Sequence, residues 1–263
     1  MSTTSALPDA PAAKPAAPRT GGPVFYHPTV ARLTYRALLG RRRALLLFGL
    51  PALLLVICAA VRALAGADDG TANDILQGFA LSSMLPLLGV IAGTGAIGPE
   101  IDDGAIVYLL AKPIRRSTII CTKLLVAIGV TLVFSAIPTL LAGYLLNANG
   151  QNIAVAYGIA TAVASVAYSA IFLLLGVFTR HAVVVGLVYA LVWETVIGNL
   201  VSGAQTLSVQ QWALAVGAKA AHGDLVSSAV SLPTGIILLI VVTVAATWYA
   251  ARRLSTLKPV GDE

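Results

Sequence analysis

Six long apolar runs divide the chain, with short polar or charged connections between them. A helix needs about 20 apolar residues to cross the hydrocarbon core of a bilayer, and most of these runs reach or exceed that length. The third run is longer than a crossing requires, so we expect it to tilt or to bend at Pro138. The pattern predicts an all-α integral membrane protein with six transmembrane helices. The predicted spans are residues 44–65, 75–98, 118–146, 153–178, 182–198 and 234–251.

The segment before the first run, residues 29–43, places apolar and basic residues at helical spacing. This pattern predicts an amphipathic helix in the cytoplasmic membrane interface, with its arginines among the lipid phosphates. Its apolar face consists of Val30, Leu33 and Ala37, and its basic residues are Arg32, Arg36, Arg41, Arg42 and Arg43.

The two ends of the chain lack such patterns. Residues 1–28 are rich in Ala and Pro and contain no apolar core, so we expect a disordered cytoplasmic tail that is not removed as a signal peptide. Residues 259–263 form a second short tail. Between the interfacial helix and this tail, residues 44–258 form the predicted six-span transmembrane domain.

Composition and charge agree with a membrane location. The chain is 58% hydrophobic and 11% charged, whereas soluble domains are about 25% charged. If both termini are cytoplasmic, all but two of the 17 Lys and Arg residues lie on the inner side, the exceptions being Arg62 and Lys219. Because basic residues collect on the cytoplasmic side, we predict a multi-pass protein of a bacterial-type inner or plasma membrane with both termini inside. Its basic residues then contact membrane lipids, and no nucleic-acid partner is expected.

The loop between the second and third runs is the only strongly charged stretch between two long apolar runs. Carboxylates at its start and a lysine at its end suit a short cytoplasmic helix between Pro99 and Pro113, because they complement the helix dipole. After Gly104 this helix is apolar nearly all round, so a protein partner is expected to cover it. The residues assigned to this contact are Glu100, Asp102, Asp103, Gly104, Val107, Leu109, Leu110, Pro113, Arg115 and Arg116.

This layout resembles the permeases of the ABC-2, or type-2 ABC exporter, family. The shared features are a basic interfacial helix, six spans with both ends inside, a long outer segment before the last span, and the inner loop after the second span. The residues that match the family's loop are Glu100, Gly104, Leu109, Leu110, Lys112, Pro113, Arg115 or Arg116, and Lys123. At Asp102 and Asp103 the chain departs from the mixed acidic and basic pair common in the family.

The resemblance implies that the loop is a coupling helix on which cytoplasmic ABC ATPase subunits dock. It also implies that two permease copies pair, either as a homodimer or with a paralogous permease, to export an amphipathic, lipid-like, peptide or drug-like substrate. The chain contains no GxxxxGK[ST] phosphate loop. ATP and Mg²⁺ would therefore bind to the partner, and the chain itself is expected to be neither an enzyme nor a cofactor-binding protein.

Glu194 is the only carboxylate inside an apolar run. Insertion of such a charge costs about 2.5–3.5 kcal/mol, so an intramembrane carboxylate is a candidate for function. We assign Glu194 to a candidate translocation path together with Tyr168 in the fourth run. The alternatives are that Glu194 lies in the outer interface, about one turn from Asn199, and that Tyr168 serves in helix packing.

Two other functional classes remain to be compared with a permease. A secondary carrier driven by an ion gradient would favour paired intramembrane carboxylates or repeated broken helices. A membrane-embedded enzyme would need a catalytic cluster at one depth. The chain has one intramembrane carboxylate, no visible internal repeat, and no His or Cys cluster with the spacing of metal ligands.

Small residues indicate where helices approach one another. Gly89 and Gly93 form a small-xxx-small pair in the second span, and Ser165 and Ser169 form another in the fourth, so both pairs are predicted packing faces. The outer segment, residues 199–233, is too interrupted to span the membrane. It predicts one or two short helices dipping into the outer interface, or alternatively a surface loop.

Overall fold

The computed structural model describes residues 26–66, 68–98, 116–197, 203 and 205–256. Within these residues all regular secondary structure is helical, which confirms the predicted class. Five helices are long and apolar enough to cross a membrane, and another apolar helix, Ala182–Glu194, is shorter. The five long helices are Arg43–Leu64, Asp69–Gly95, Ser117–Asn147, Gly150–Phe178 and Leu232–Leu254.

We number the helices in chain order and label the two wider π-helical segments separately. They are α1 (Pro28–Leu38), α2 (Arg41–Ala65), α3 (Asp69–Ile75), π1 (Leu76–Met84), α4 (Leu85–Gly95), α5 (Arg116–Asn147), α6 (Ile153–Phe178), α7 (Ala182–Val188), π2 (Tyr189–Ile197), α8 (Val209–Gly217) and α9 (Leu232–Thr256). The segments α3, π1 and α4 follow one another without a break and form one long helix, as do α7 and π2.

The second long helix begins earlier than its apolar run because Asp68 caps it. The Asp68 carboxylate accepts hydrogen bonds from the Thr71 backbone N–H at 3.0 Å and from the Thr71 hydroxyl at 3.1 Å. These bonds hold the pKa of Asp68 below its ordinary value, and the bond from the Thr71 backbone has the larger effect. An aspartate at this position satisfies an otherwise unpaired N–H of the first turn. Residues 69–74, which precede the predicted span 75–98, therefore belong to the helix.

The fifth apolar run forms a shorter helix than the others. It begins at Ala182 as α7, and from Tyr189 it continues as the π-helix π2. A π-helical segment is uncommon, and short ones often mark functional sites. By length this helix is not among the candidate spans, so the described residues contain five candidate spans, whereas the sequence predicts six.

Helix α6 lies at the centre of the bundle, in contact with α4, α5, α8 and α9. In its most apolar stretch 61% of the residues are buried, against 22% for α2 and for α9. Small residues allow this close packing: Gly143 of α5 lies against Ala154 of α6, and Gly158 of α6 lies against Leu140 of α5. The peripheral helices α2 and α9 keep large apolar side chains exposed, as expected for surfaces that face lipid.

The interfacial helix is shorter than predicted. Helix α1 ends at Leu38, and Arg43, which we expected among the lipid phosphates at the end of this helix, lies in the first turn of α2. The buried face of α1 comprises Val30, Ala31, Thr34 and Leu38 and packs on α4 and α5, whereas Leu33 is exposed. One face of this amphipathic helix is therefore used for packing within the protein.

The outer segment contributes a buried helix. Helix α8 packs between α6 and α9, and nearly all of its side chains are buried, including Trp212. A Cβ atom built on Gly217 would lie 2.5 Å from the backbone oxygen of Ala156, so only glycine permits this approach. A short helix in this segment is confirmed, and the alternative of a surface loop is corrected, because the apolar residues of α8 pack against α6.

Candidate functional site

The predicted coupling residues between Glu100 and Arg115 lie outside the described residues, and for Arg116 only the backbone is described, at the start of α5. The structure does describe the two ends from which this stretch leaves the bundle. These ends are residues 95–98, which comprise the last residue of α4 and the three that follow it, and the first turns of α5. Their contacts form the candidate functional site.

Two basic side chains hold the C-terminal end of α4. Lys123 of α5 is fully buried, and its Nζ donates a hydrogen bond of 2.5 Å to the backbone oxygen of Ala96. Arg43 of α2 donates from Nη1 to the backbone oxygen of Gly95 at 3.1 Å. The last carbonyls of a helix lack intrahelical partners and carry partial negative charge, so cations stabilise them. We call Arg43 and Lys123 the α4 clamp.

The same region is also tied to α1. The backbone N–H of His27 donates to the Thr122 hydroxyl at 3.0 Å, and that hydroxyl donates to the Thr118 carbonyl at 2.7 Å. Leu38 is fully buried and packs against Gly95, where a Cβ atom would lie 2.9 Å from its Cδ2. Helices α1, α2, α4 and α5 therefore meet at the base of the coupling stretch.

Glu194 lies inside the bundle as a hydrogen-bonded acceptor. Its carboxylate accepts from the Ser208 hydroxyl at 2.5 Å, the Tyr189 hydroxyl at 3.0 Å and the backbone N–H of Val209 at 3.2 Å. It is fully buried, which answers the question of exposure left open by the sequence. Because Val209 opens α8, Glu194 satisfies an N–H at a helix start, where negative charge is favoured.

This contact lies deep in the bundle. The Tyr168 hydroxyl lies beside Glu194 and the Gln210 backbone, whereas the other end of α8, at Gly217, meets Ala156. Tyr168 and Ala156 are about 18 Å apart along α6 at 1.5 Å per residue. Helix α8 therefore begins near the middle of α6 and runs toward the start of α6.

Two polar atoms near this contact have no hydrogen-bond partner in the described part of the chain. They are the Tyr168 hydroxyl and Nε2 of Gln210, and both residues are almost fully buried. The path candidates Glu194 and Tyr168 are thus brought together in one buried polar cluster. Sequence analysis missed its other members, Tyr189, Ser208 and Gln210, although a serine just before a helix is a recognised N-terminal signal.

The glycines of the predicted packing face lie where α4 meets α6. A Cβ atom on Gly89 would lie 3.0 Å from side-chain atoms of Tyr168 and Phe172, and one on Gly93 would lie 2.6 Å from Cβ of Phe172 and 2.9 Å from the backbone nitrogen of Leu173. At Gly93 the neighbours include backbone atoms, which cannot move aside locally. The contact between α4 and α6 therefore depends on glycine at this position.

Gly93→Ala is expected to destabilise the protein by about 1–3 kcal/mol because the added methyl overpacks the contact between α4 and α6. Gly129→Ala is the matched control, since a Cβ atom there meets nothing within 4 Å. The control should be neutral or stabilising by up to about 1 kcal/mol, because alanine is the better helix former. Denaturant unfolding of the purified protein in detergent measures both, and equal effects at the two positions would contradict the packing.

The second predicted face, Ser165 and Ser169, lies between α6 and α5. Ser165 donates to the Thr161 carbonyl at 2.6 Å, so it accepts the 2.9 Å hydrogen bond that it shares with Ser135. Ser169 donates to the Thr131 hydroxyl at 3.2 Å. Hydrogen bonds of this kind between helices contribute about 0.6 kcal/mol each in membranes. They add directionality to a contact made mainly by small residues.

These features define a multi-pass helical membrane protein. The family model for ABC-2 family transporter proteins matches residues 40–254, and the chain belongs to this family. The matched range contains all five long helices, the α4 clamp and the buried cluster around Glu194. No curated protein sequence matches the chain. The chain is therefore the membrane component of an ABC-2 transporter, a permease subunit that lacks an ATPase domain.

Proposed function

We propose that the chain is the membrane-spanning subunit of an ATP-driven exporter, energised by cytoplasmic ATPase subunits that dock on residues 100–116. Family membership supports a permease with a separate ATPase. ATP and Mg²⁺ would bind to that partner. The substrate class we propose is amphipathic, including lipid-like, peptide and drug-like molecules, because the interior offers an apolar surface with scattered hydroxyl groups.

The observation that carries this proposal is the α4 clamp. The coupling stretch leaves the bundle directly after α4 and returns at α5, and Lys123 joins these two helices through the Ala96 carbonyl. Arg43 joins α2 to the same helix end. A push on the stretch would then act on three helices together instead of bending a free loop. Such a connection suits an element that transmits motion from a docked ATPase.

The proposed topology has six crossings with both termini cytoplasmic. Arg43, Gly98 and Arg180 line one cavity, and Arg253 stacks on Phe178 at 5.6 Å, so the start of α2 and the ends of α4, α6 and α9 share one end of the bundle. At the opposite end, the backbone N–H of His222 donates to Gln151. The start of α7 and His222, which follows α8, therefore lie at opposite ends of the bundle, which supports a crossing between these two points.

Charge supports the cytoplasmic assignment of the end that holds the α4 clamp. Arg43, Arg180, Arg252 and Arg253 lie there, and the opposite end carries only Arg62 and Lys219 among the described Lys and Arg residues. Basic residues favour the cytoplasmic side. We further propose that two copies pair in the membrane, or that this chain pairs with a paralogous permease, with lipid covering the remaining exposed faces of α2 and α9.

Reconstitution into proteoliposomes tests the proposed function. The purified chain alone is expected to hydrolyse no ATP, whereas addition of an ATPase subunit from the neighbouring reading frame should yield turnover that the permease alters severalfold. The matched control is the same ATPase in liposomes without the chain. Solute movement driven by an ion gradient in the absence of any ATPase would contradict the proposal and favour a secondary carrier.

A further inference from the structure

A basic cavity lies at the end of the bundle that contains the α4 clamp. It has a volume of about 240 Å³ and lies between the end of α4, the start of α2 and the turn that joins α6 to α7. The residues that give it its chemistry are Arg43, Arg180, His181, Val183 and Val184. The cavity lies at the level where the apolar helix α2 begins and the apolar helix α6 ends, which is the level expected for a membrane surface.

The cations of this cavity are available to an anion. Arg180 is exposed and has no hydrogen-bond or ion-pair partner among the described residues. Arg43 uses Nη1 for the Gly95 carbonyl and retains its other guanidinium N–H groups. No carboxylate is among the described residues that line the cavity. Guanidinium groups bind phosphate through paired N–H donors, so phosphate is the anion that best fits this pair.

The remaining lining indicates that the anion belongs to an amphiphile. Val183 and Val184, on the first turn of α7, line the cavity and are half or more exposed, and Val188 is similarly exposed one turn further along the helix. The cavity is smaller than the roughly 300–1,000 Å³ of pockets for drug-sized ligands. It therefore has room for a polar headgroup, and the exposed valines beside it form an apolar surface for an acyl chain that remains in the bilayer.

We propose that this cavity binds the phosphate group of an anionic phospholipid, with Arg180 and Arg43 as its donors and the exposed valines of α7 beside its acyl chains. Basic pockets between transmembrane helices at the membrane surface are suited to such headgroups. The bound lipid would contact Gly98, the last described residue before the coupling stretch. The site requires only that the helices span a membrane, so it does not depend on the proposed ATPase coupling.

Lipid titration of the purified full chain in mild detergent tests the site. The readout is the unfolding temperature as a function of added phosphatidylglycerol, phosphatidylcholine or inorganic phosphate. Phosphatidylglycerol should stabilise the protein at lower concentrations than the other two. Arg180→Gln should raise the half-saturating concentration of phosphatidylglycerol about fivefold. Arg180→Lys, which keeps the charge but loses the paired N–H donors, should raise it less. Arg36→Gln, which removes an exposed arginine of α1, is the matched control.

Each outcome of the titration is decisive for the proposal. Selective weakening by Arg180→Gln supports the lipid site. An equal loss in Arg36→Gln would overturn it in favour of general attraction between the basic surface and anionic lipid. Saturable stabilisation by inorganic phosphate alone, matching that by phosphatidylglycerol, would overturn the lipid as ligand. Stabilisation by phosphatidylglycerol that Arg180→Gln leaves unchanged would show that the lipid binds elsewhere.

Discussion

Glu194→Leu is expected to destabilise the protein by about 3 kcal/mol, because it removes the acceptor of three buried donors. The hydroxyls of Ser208 and Tyr189 and the backbone N–H of Val209 would all lose their partner. A buried donor left without an acceptor costs about 1–3 kcal/mol, and removal of a buried polar group offsets part of the sum. Without Glu194 as an acceptor, the first turn of α8 should open more often. Hydrogen exchange of the α8 amides should then be faster.

Two further variants separate support of α8 from a direct role in transport. Asp224→Leu makes the same chemical change at an exposed carboxylate in the outer segment and should leave stability unchanged. Glu194→Gln keeps a carbonyl oxygen for one or two of the donors, so it should destabilise less than the leucine variant. If Glu194→Gln stops transport while α8 stays protected, Glu194 acts in the path. If the α8 amides of Glu194→Leu exchange as slowly as those of the parent, the proposal that Glu194 stabilises the start of α8 is wrong.

Much of the fold follows from hydrophobic runs and local signals. Five of the six runs become long apolar helices, because a segment that must satisfy its backbone inside a bilayer has few alternatives to a helix. The sequence also predicts the small-residue pairs in α4 and α6 as packing faces. In the structure Gly93 lies against Phe172, and Ser165 shares a hydrogen bond with Ser135. The cap at Asp68 is likewise a local signal, which the apolar pattern alone overlooks.

The parts that depend on contacts between distant segments could not be read in this way. Periodicity placed Arg43 at the end of the interfacial helix, yet it lies in α2 and donates to the Gly95 carbonyl of another helix. The start of α8 can be buried because Glu194, which belongs to an earlier apolar run, accepts a hydrogen bond from the backbone N–H of Val209. Lys123 entered the sequence analysis only through the family resemblance. Its hydrogen-bond acceptor is the backbone oxygen of Ala96, which a pattern of side chains cannot predict.

Val107→Asp is expected to release the ATPase from the permease. In the proposed arrangement Val107 belongs to the apolar face that the ATPase covers, and an unpaired charge buried in such a contact costs about 4 kcal/mol, or roughly a thousandfold in affinity. Interface energy is concentrated in a few central residues, so one substitution is sufficient. Val107→Leu, which keeps the face apolar, is the matched control and should bind the ATPase as the parent does.

Co-purification of the ATPase with these variants is the most direct test of the central claim that residues 100–116 couple the permease to its energy source. The permease is extracted from membranes by an affinity tag, and the bound ATPase is quantified relative to permease that has inserted normally. We expect the parent and Val107→Leu to retain the ATPase and Val107→Asp to lose it at equal insertion. Full retention of the ATPase and of stimulated ATP turnover by Val107→Asp would contradict the claim.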